Sequence, residues 1–205
     1  MKVAIIGAGN VGKALATSIS RAGHEVTISA HSPESAQEAA REVGATPAES
    51  NAAAVQGANV VILAIPYQAG EAVSAEIADG AAGHVVVDAT NPLKPDYSGM
   101  ATDTSAAEEF QAQLPKSSVV KAFNTVFASN QANPKASDQP IDGFVAGDDP
   151  DAKAQVLELV ESIGLKPLDV GPLSAARYLE GMAFINIGLN AQNGWDWTSA
   201  WHLDR

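Results

Sequence analysis

The chain has 205 residues, 46% hydrophobic and 18% charged, enough for a substantial core in one large or two small domains. Its 24 acidic residues against 12 Lys and Arg leave a formal net charge of −12, which repels nucleic acid and anionic membranes in bulk. Cysteine is absent, which excludes disulfides, thiol catalysis and cysteine-ligated metals. The first apolar run is short and leads straight into a glycine turn, so no signal peptide is expected. The longest run, Val60 to Pro66, is too short to span a bilayer. A soluble cytoplasmic protein is the expectation.

Val3 to Ile6 is continuously apolar, the pattern of a parallel strand covered on both faces. It runs into Gly7-Ala8-Gly9-Asn10-Val11-Gly12, a G-x-G-x-x-G spacing. A helix follows from Val11 to Ala22, with Val11, Leu15 and Ile19 on one stripe. The spacing alone is weak, but strand, turn and helix stand in register. Gly7 permits the tight turn, Gly9 lets a pyrophosphate approach the backbone, and Gly12 lets helix and strand pack closely. The free N–H groups at the helix start, at the positive end of its dipole, suit phosphates. The competing reading is a glycine turn that binds nothing.

Glu25 to Ser29 reads as the second strand. Ser32-Pro33 opens a helix, with Ser as cap and Pro at the first helical position. Ala45 to Pro47 is a short third strand and Val60 to Ile65 a fourth, ended by Pro66. A helix from about Ala69 to Ala78 precedes the fifth strand, Val85 to Ala89. This alternation predicts a doubly wound parallel sheet. Asn91 to Thr102 is a loop, and Ser105-Ala-Ala-Glu108 is a capping box opening the next helix. Val119 to Phe123 is a sixth strand. Asn124 to Pro140 is polar with little periodicity, a length of loop that tends to be functional. Gly143 to Ala146 resumes the sheet, and Asp149-Pro150 caps a helix to about Ile163. Leu165 to Val170 is the last strand, and Ser174 opens a final helix to about Leu189. The expected fold is α/β, a Rossmann-type, mostly parallel sheet in a single compact domain over 1–190. A Trp-rich tail, 191–205, follows.

An acid at the end of the second strand, some ~20 residues after the glycines, usually holds the ribose 2′-OH of NAD. Here that stretch is Ser29-Ala30-His31-Ser32, without Asp or Glu, which favours NADP. Ser29, His31, Ser32 and the N–H groups of the helix starting at Pro33 are the candidate phosphate ligands, and protonation of His31 would strengthen that contact. Alternatively Ser32 is only a cap and His31 a surface residue. Asp88 is either a buried functional acid or a hydrogen-bonded structural one. Asn124 and Thr125 either steady a substrate or cap a strand end. His24 and His84 read as structural, and no metal cluster is recognised. Trp195, Trp197 and Trp201 suit a tail that docks on its own core or on a partner subunit, so a homodimer is possible.

Several segments share one resemblance: the glycine turn at 7–12, Ile65-Pro66-Tyr67, Gly147-Asp148-Asp149, and Pro167-Leu168-Asp169-Val170-Gly171-Pro172-Leu173-Ser174 followed by Arg177 and Glu180. Together they resemble the NADPH-dependent reductases of the deazaflavin coenzyme F-420, whose fold also forms the reductase domain of the Steap metalloreductases. The resemblance implies hydride transfer between NADP(H) and a flavin-like partner such as F-420 or FMN. It further implies that Asn10 and Val11 meet the pyrophosphate, and that Ala64, Ile65 and Pro66 line the adenosine and ribose side. Ala89, Asn91 and Pro92 would border the nicotinamide. Asn124 and Thr125 would face the second substrate, and Gly171 and Pro172 would close its far side. Such chemistry needs positioning and dryness, not a nucleophile or metal. Two alternatives are a non-catalytic NADP(H) sensor and a reductase of another small acceptor, such as a ferric chelate. A catalytic role predicts a second cavity lined by Asn91, Asn124 and the Gly171 turn; a sensor predicts that this space is filled.

Overall fold

Short β-branched runs build the sheet, as strands buried on both faces must. The computed structural model describes residues 1–134 and 139–204. Its strands are β1 (Lys2–Ile6), β2 (Glu25–Ser29), β3 (Thr46–Pro47), β4 (Val60–Leu63), β5 (Val85–Asp88), β6 (Ser118–Lys121), β7 (Asp142–Gly147) and β8 (Lys166–Asp169). They lie in the order β3-β2-β1-β4-β5-β6-β7-β8. All pairs are parallel except β6 with β7, so β7 and β8 run against the other six. The chain winds outward from β1 in both directions. The switch point falls between β1 and β4, where ligands bind in such sheets.

Alternate side chains of β1 enter different cores. Val3 and Ile5 pack with Leu15 and Ile19 of helix α1 (Asn10–Arg21), Ala39 and Ala40 of α2 (Pro33–Val43), and with α7 (Pro150–Ser162). Ala4 and Ile6 join Val55 of α3 (Asn51–Val55), Ile77 of α4 (Gly70–Ile77) and Phe110 of α5 (Ala106–Gln113) on the other face. The expected caps form: Ser32, Ser105 and Asp149 each accept from backbone N–H groups of the first turn.

Other expectations shift. Helix α3, capped by Ser50, lies in a stretch the sequence pattern left blank. The polar segment from Asn124 contains α6 (Ala128–Ala132), whose Asn130 and Gln131 are buried; residues 135–138 of that segment lie outside the described residues. A 3-10 turn at Leu173–Ala175 precedes the final helix, so Ser174 does not cap it. That helix, α8 (Ala176–Asn193), runs past Leu189 and stops at Gly194 in the left-handed conformation.

The tail folds back on its own chain. Asp142 N–H donates to the Trp201 carbonyl (3.1 Å), and Asn130 Nδ2 to the Thr198 carbonyl (2.8 Å). Ser199 Oγ donates to Asn186 Oδ1 and accepts from Asn190 Nδ2, both at 2.6 Å. Trp201 packs against Phe144, Ala146 and Leu179, while Trp195 and Trp197 stay exposed.

Candidate functional site

The turn after β1 is dictated by crowding. Gly7 has φ +111°, and a Cβ there would lie 2.2 Å from the Ala64 carbonyl oxygen after β4. A Cβ on Gly12 would lie 1.9 Å from the Gly7 carbonyl oxygen. Neither position tolerates a side chain, because β1, β4 and α1 meet there. Gly9 differs: nothing lies within 4 Å of a Cβ at that position. It leads into α1, whose N-terminus has no side-chain cap. Open space in front of uncapped N–H groups fits a pyrophosphate.

A cleft of about 740 Å3 extends from this cradle. Gly7, Gly9, His31, Ala64, Ile65 and Pro66 line it as expected, together with Lys13, Ser35, Glu38, Glu42 and Asn51, which sequence reasoning missed. Lys13 is paired with Glu42 at 2.8 Å across the cleft. Asn10 and Gly12 stand in the cradle's first helical turn.

Ser29 and Ser32 do not line the cleft. Ser29 is fully buried and donates to Asn51 Oδ1 (2.7 Å), whose amide donates to Glu76 (2.6 Å). Its hydroxyl ties β2 to α3 and α4. The Ser32 hydroxyl accepts from Ser35 N–H (3.2 Å), the capping role weighed against phosphate binding. Ser35 carries the cleft-facing hydroxyl instead, at hydrogen-bond distance from His31 Nε2 (3.4 Å).

A second cavity, of about 170 Å3, opens at the carboxyl ends of β5 and β6. Val11, Ala89, Asn91, Asn124 and Thr125 line it, as do Phe123, Val126, Phe127, Gln131, and Ala183, Asn186 and Ile187 of α8. Asn124 Nδ2 donates to Asn91 Oδ1 (3.0 Å), and Asn91 Nδ2 to the Asn124 carbonyl (3.2 Å). Gln131 Nε2 donates to the carbonyls of Phe123 and Val126, both at 2.9 Å, and so holds the turn between them. Phe123 sits at φ +67°, a costly conformation for an aromatic residue and the kind stored at binding sites. Three buried atoms of the lining residues have no partner: Asn124 Oδ1, Thr125 Oγ1 and Gln131 Oε1. Buried polar groups in that state are costly unless a ligand or water meets them.

Pro92 is buried and does not line this cavity, contrary to expectation; its carbonyl accepts from Ala101 N–H (2.7 Å) beside the Leu93–Met100 bridge. Gly171 and Pro172 do not reach the cavity, contrary to expectation. Because β7 returns antiparallel to β6, the carboxyl end of β8 lies on the side of the amino ends of the other six strands, away from the cavity. There the Gly171 carbonyl accepts from Gly147 N–H (3.1 Å), and Gly147 itself pairs with Val120. A third cavity, of about 280 Å3, lies between Pro66-Tyr67-Gln68 and the hairpin residues Leu93 to Tyr97. Tyr67 donates to Glu109 (2.6 Å), and burial, followed by that carboxylate, pushes its pKa to about 12, so the phenol stays protonated.

Asp88 belongs to a buried ionic cluster. Lys121 Nζ contacts Asp88 Oδ2 at 2.8 Å and Glu180 Oε1 at 2.7 Å, all three side chains being fully buried. Burial raises Glu180 to a pKa of about 7 against the opposing pull of Lys121. His24 sits at the far edge of the sheet with the chain's N-terminal ammonium (3.1 Å) and Ser162 (2.9 Å), and is lowered by burial.

A doubly wound sheet, a glycine cradle at its switch point and a second cavity beside it are the arrangement of a dinucleotide-dependent oxidoreductase. Residues 2–92 match the family described as NADP oxidoreductase coenzyme F420-dependent. The chain is 34% identical to the F420-dependent NADP reductase of Methanothermobacter marburgensis, with 94% of each covered. It is 30% identical to Metalloreductase STEAP3 of Rattus norvegicus over 88% of its own length, but spans only 36% of that protein. Among solved structures, a candidate F420-dependent NADP-reductase of Arthrobacter sp. FB24 superposes over 100% of both chains with a TM-score of 0.89 and 29% identity. The chain belongs to the F420-dependent NADP oxidoreductase family. Among the described residues, no helix is long and apolar enough to cross a membrane.

Proposed function

We propose that this NADP-dependent oxidoreductase moves hydride between NADPH and a flavin-type acceptor, with a deazaflavin of the F-420 kind as the principal candidate. The carrying observation is the second cavity, whose orphaned Asn124 Oδ1, Thr125 Oγ1 and Gln131 Oε1 call for a ligand with amide-like donors and acceptors. Val11 lines this cavity from the first turn of the helix that starts in the glycine cradle, so the two sites adjoin. Bound NADPH would supply the hydride.

The residues divide the work. Gly9, Asn10 and Val11 would present N–H groups to the pyrophosphate. His31, Ser35 and the start of α2 would take the 2′-phosphate, helped by the missing acid between Ser29 and Ser32. Ala64, Ile65 and Pro66 would flank the adenosine ribose. Ala89, Asn91 and Asn124 would border the ring pair, with Phe123, Phe127 and Ile187 excluding water. A sensor would have no use for the second space, whereas a hydride acceptor requires it. The names of the F420-dependent relatives support the deazaflavin over FMN or a ferric chelate. We place the enzyme in the cytoplasm. The exposed α8 stripe of Tyr178, Ile185 and Leu189 supports a homodimer, which light scattering would test.

Steady-state oxidation of NADPH with F-420, FMN and a ferric chelate tests this reading. The expected order of kcat/KM places F-420 first. Tight NADPH binding without turnover of any acceptor would establish the sensor instead.

A further inference from the structure

We propose that Lys121 is a positioning residue for this reaction, whose ammonium holds together the three segments that wall the second cavity. The inference rests on the reading of that cavity as the acceptor site.

Lys121 Nζ makes three contacts: Asp88 Oδ2 on β5 (2.8 Å), the Thr90 carbonyl (2.7 Å) and Glu180 Oε1 on α8 (2.7 Å). These use all three ammonium donors. Glu180 Oε1 also accepts from Ala106 N–H (3.0 Å), which ties in the start of α5. Each ionic residue stands just upstream of cavity residues. Asp88 precedes Ala89 and Asn91, Lys121 precedes Phe123 and Asn124, and Glu180 precedes Ala183 and Ile187 on the same helical face. Lys121 therefore sets the separation between the β5–β6 wall and the α8 wall. A shift of ~1 Å in such a wall can cost on the order of 10²-fold in rate.

Stability alone does not explain the cluster. Replacing a buried ion triad with apolar residues of similar volume is often neutral or stabilising. The triad also holds two carboxylates for one ammonium. Fully ionised, it carries a net negative charge out of contact with water. Glu180 relieves this by holding a proton near neutral pH, since burial raises it to about 7 and Asp88 adds to that while Lys121 opposes it. Its Oε2 lacks a partner in the structure, as does the neighbouring Thr90 Oγ1. A proton on Oε2 gives that oxygen something to donate. The charged and titratable groups around Glu180 are Asp88 on β5, Lys121 on β6, and Tyr67 before α4, whose own phenol feels the Glu180 charge. Glu109 of α5 acts through Tyr67, and Arg177, one turn earlier on α8, is paired with Glu108 at 2.9 Å. As Glu180 ionises, its contact with Lys121 strengthens, but the cost of a net negative charge away from water, with Asp88 adding to it, exceeds that gain, so the packed position of the α8 wall becomes less favoured.

The test uses the full chain, Glu180→Gln and Lys121→Met, with two readouts. The first is the KM for F-420, or for FMN where F-420 gives no turnover, beside the NADPH Kd. Wild-type acceptor KM should rise about threefold or more between about pH 6 and pH 8.5, while Glu180→Gln, which keeps both Oε1 contacts, should be flat. Lys121→Met should raise acceptor KM by on the order of tenfold or lower kcat, with NADPH Kd within about threefold of wild type. The second readout is hydrogen exchange of the ligand-free protein over 123–131 and 183–187, which should quicken in Lys121→Met and, at high pH, in wild type but not in Glu180→Gln. Should Lys121→Met not fold, Glu180→Gln decides. Identical pH profiles and identical exchange in wild type and Glu180→Gln overturn the proposal. If no acceptor turns over, the functional reading fails by itself, and exchange still decides whether the cluster holds the walls.

Discussion

One added methyl group at Gly9 should abolish most NADPH binding and leave the fold intact, whereas the same change at Gly12 should damage the fold itself. At Gly9 the backbone has φ −75°, open to any residue, and nothing lies within 4 Å of the new Cβ. Ala is a poorer N-cap than Gly, but it also restricts the unfolded chain, and these effects of roughly 0.5–1 kcal/mol oppose each other. Stability should therefore change by less than about 1 kcal/mol. The methyl would occupy the space a phosphate needs against the α1 N–H groups, so NADPH affinity should fall at least about tenfold, or ~1.4 kcal/mol. At Gly12 the Cβ would stand 1.9 Å from the Gly7 carbonyl oxygen, a backbone atom that cannot rotate away. Overpacking of that kind costs about 1–3 kcal/mol or more, so Gly12→Ala should melt lower and lose NADPH affinity with it. Fluorescence titration with NADPH and urea unfolding on both variants separate the two effects. If Gly9→Ala binds NADPH within about twofold of wild type, the cradle does not hold the cofactor.

Three further outcomes are expected. Glu180 has a folded pKa of about 7, above its usual 4.5, so its contribution to stability is full below the lower value and is lost as pH rises through the upper one. At ~1.4 kcal/mol per pH unit that loss is about 3 kcal/mol, and urea unfolding of Glu180→Gln between about pH 5 and pH 8.5 should lack it; parallel curves would refute the assignment. His31→Asp places a carboxylate in the cleft where a 2′-phosphate would sit, so NADPH affinity should drop at least about tenfold while NADH binding changes little, measured by titration with both. Truncation after Gly194 removes Trp201 from the Phe144–Leu179 cluster and takes Ser199 from Asn186 and Asn190, so calorimetry should show a loss of roughly 3–5 kcal/mol; an unchanged Tm would mean the tail is not docked in solution.

What can be read from the chain alone is what neighbours along it decide. Val3 to Gly12 shows strand, turn and helix because apolar runs, glycines and helical spacing act over a few residues. Ser32, Ser105 and Asp149 announce their helices because each cap bonds to N–H groups within three positions of it. From these came the sheet, the cradle and the cleft residue His31, while Ala64, Ile65 and Pro66 were marked by family likeness. Family likeness marked Asn91, Asn124 and Thr125 at the second cavity.

Contacts between distant segments were decided elsewhere. Ser29 appeared free for a phosphate, but Asn51, 22 positions on, takes its hydroxyl. Lys121 read as one more strand residue, since nothing nearby in sequence shows that Asp88 and Glu180 converge on it in the interior. Gly171 was expected across the cavity on family likeness, and the strand direction that decides its place is not a local property. A chain leaving β6 can cross over or turn back, and here it turns back, which sends the end of β8 to the amino-end side of the other six strands and brings α8 across to form the cavity wall. The amino-acid order determined where a dinucleotide meets the backbone; the packing of β5, β6 and α8 around one buried ammonium decided the shape of the space beside it.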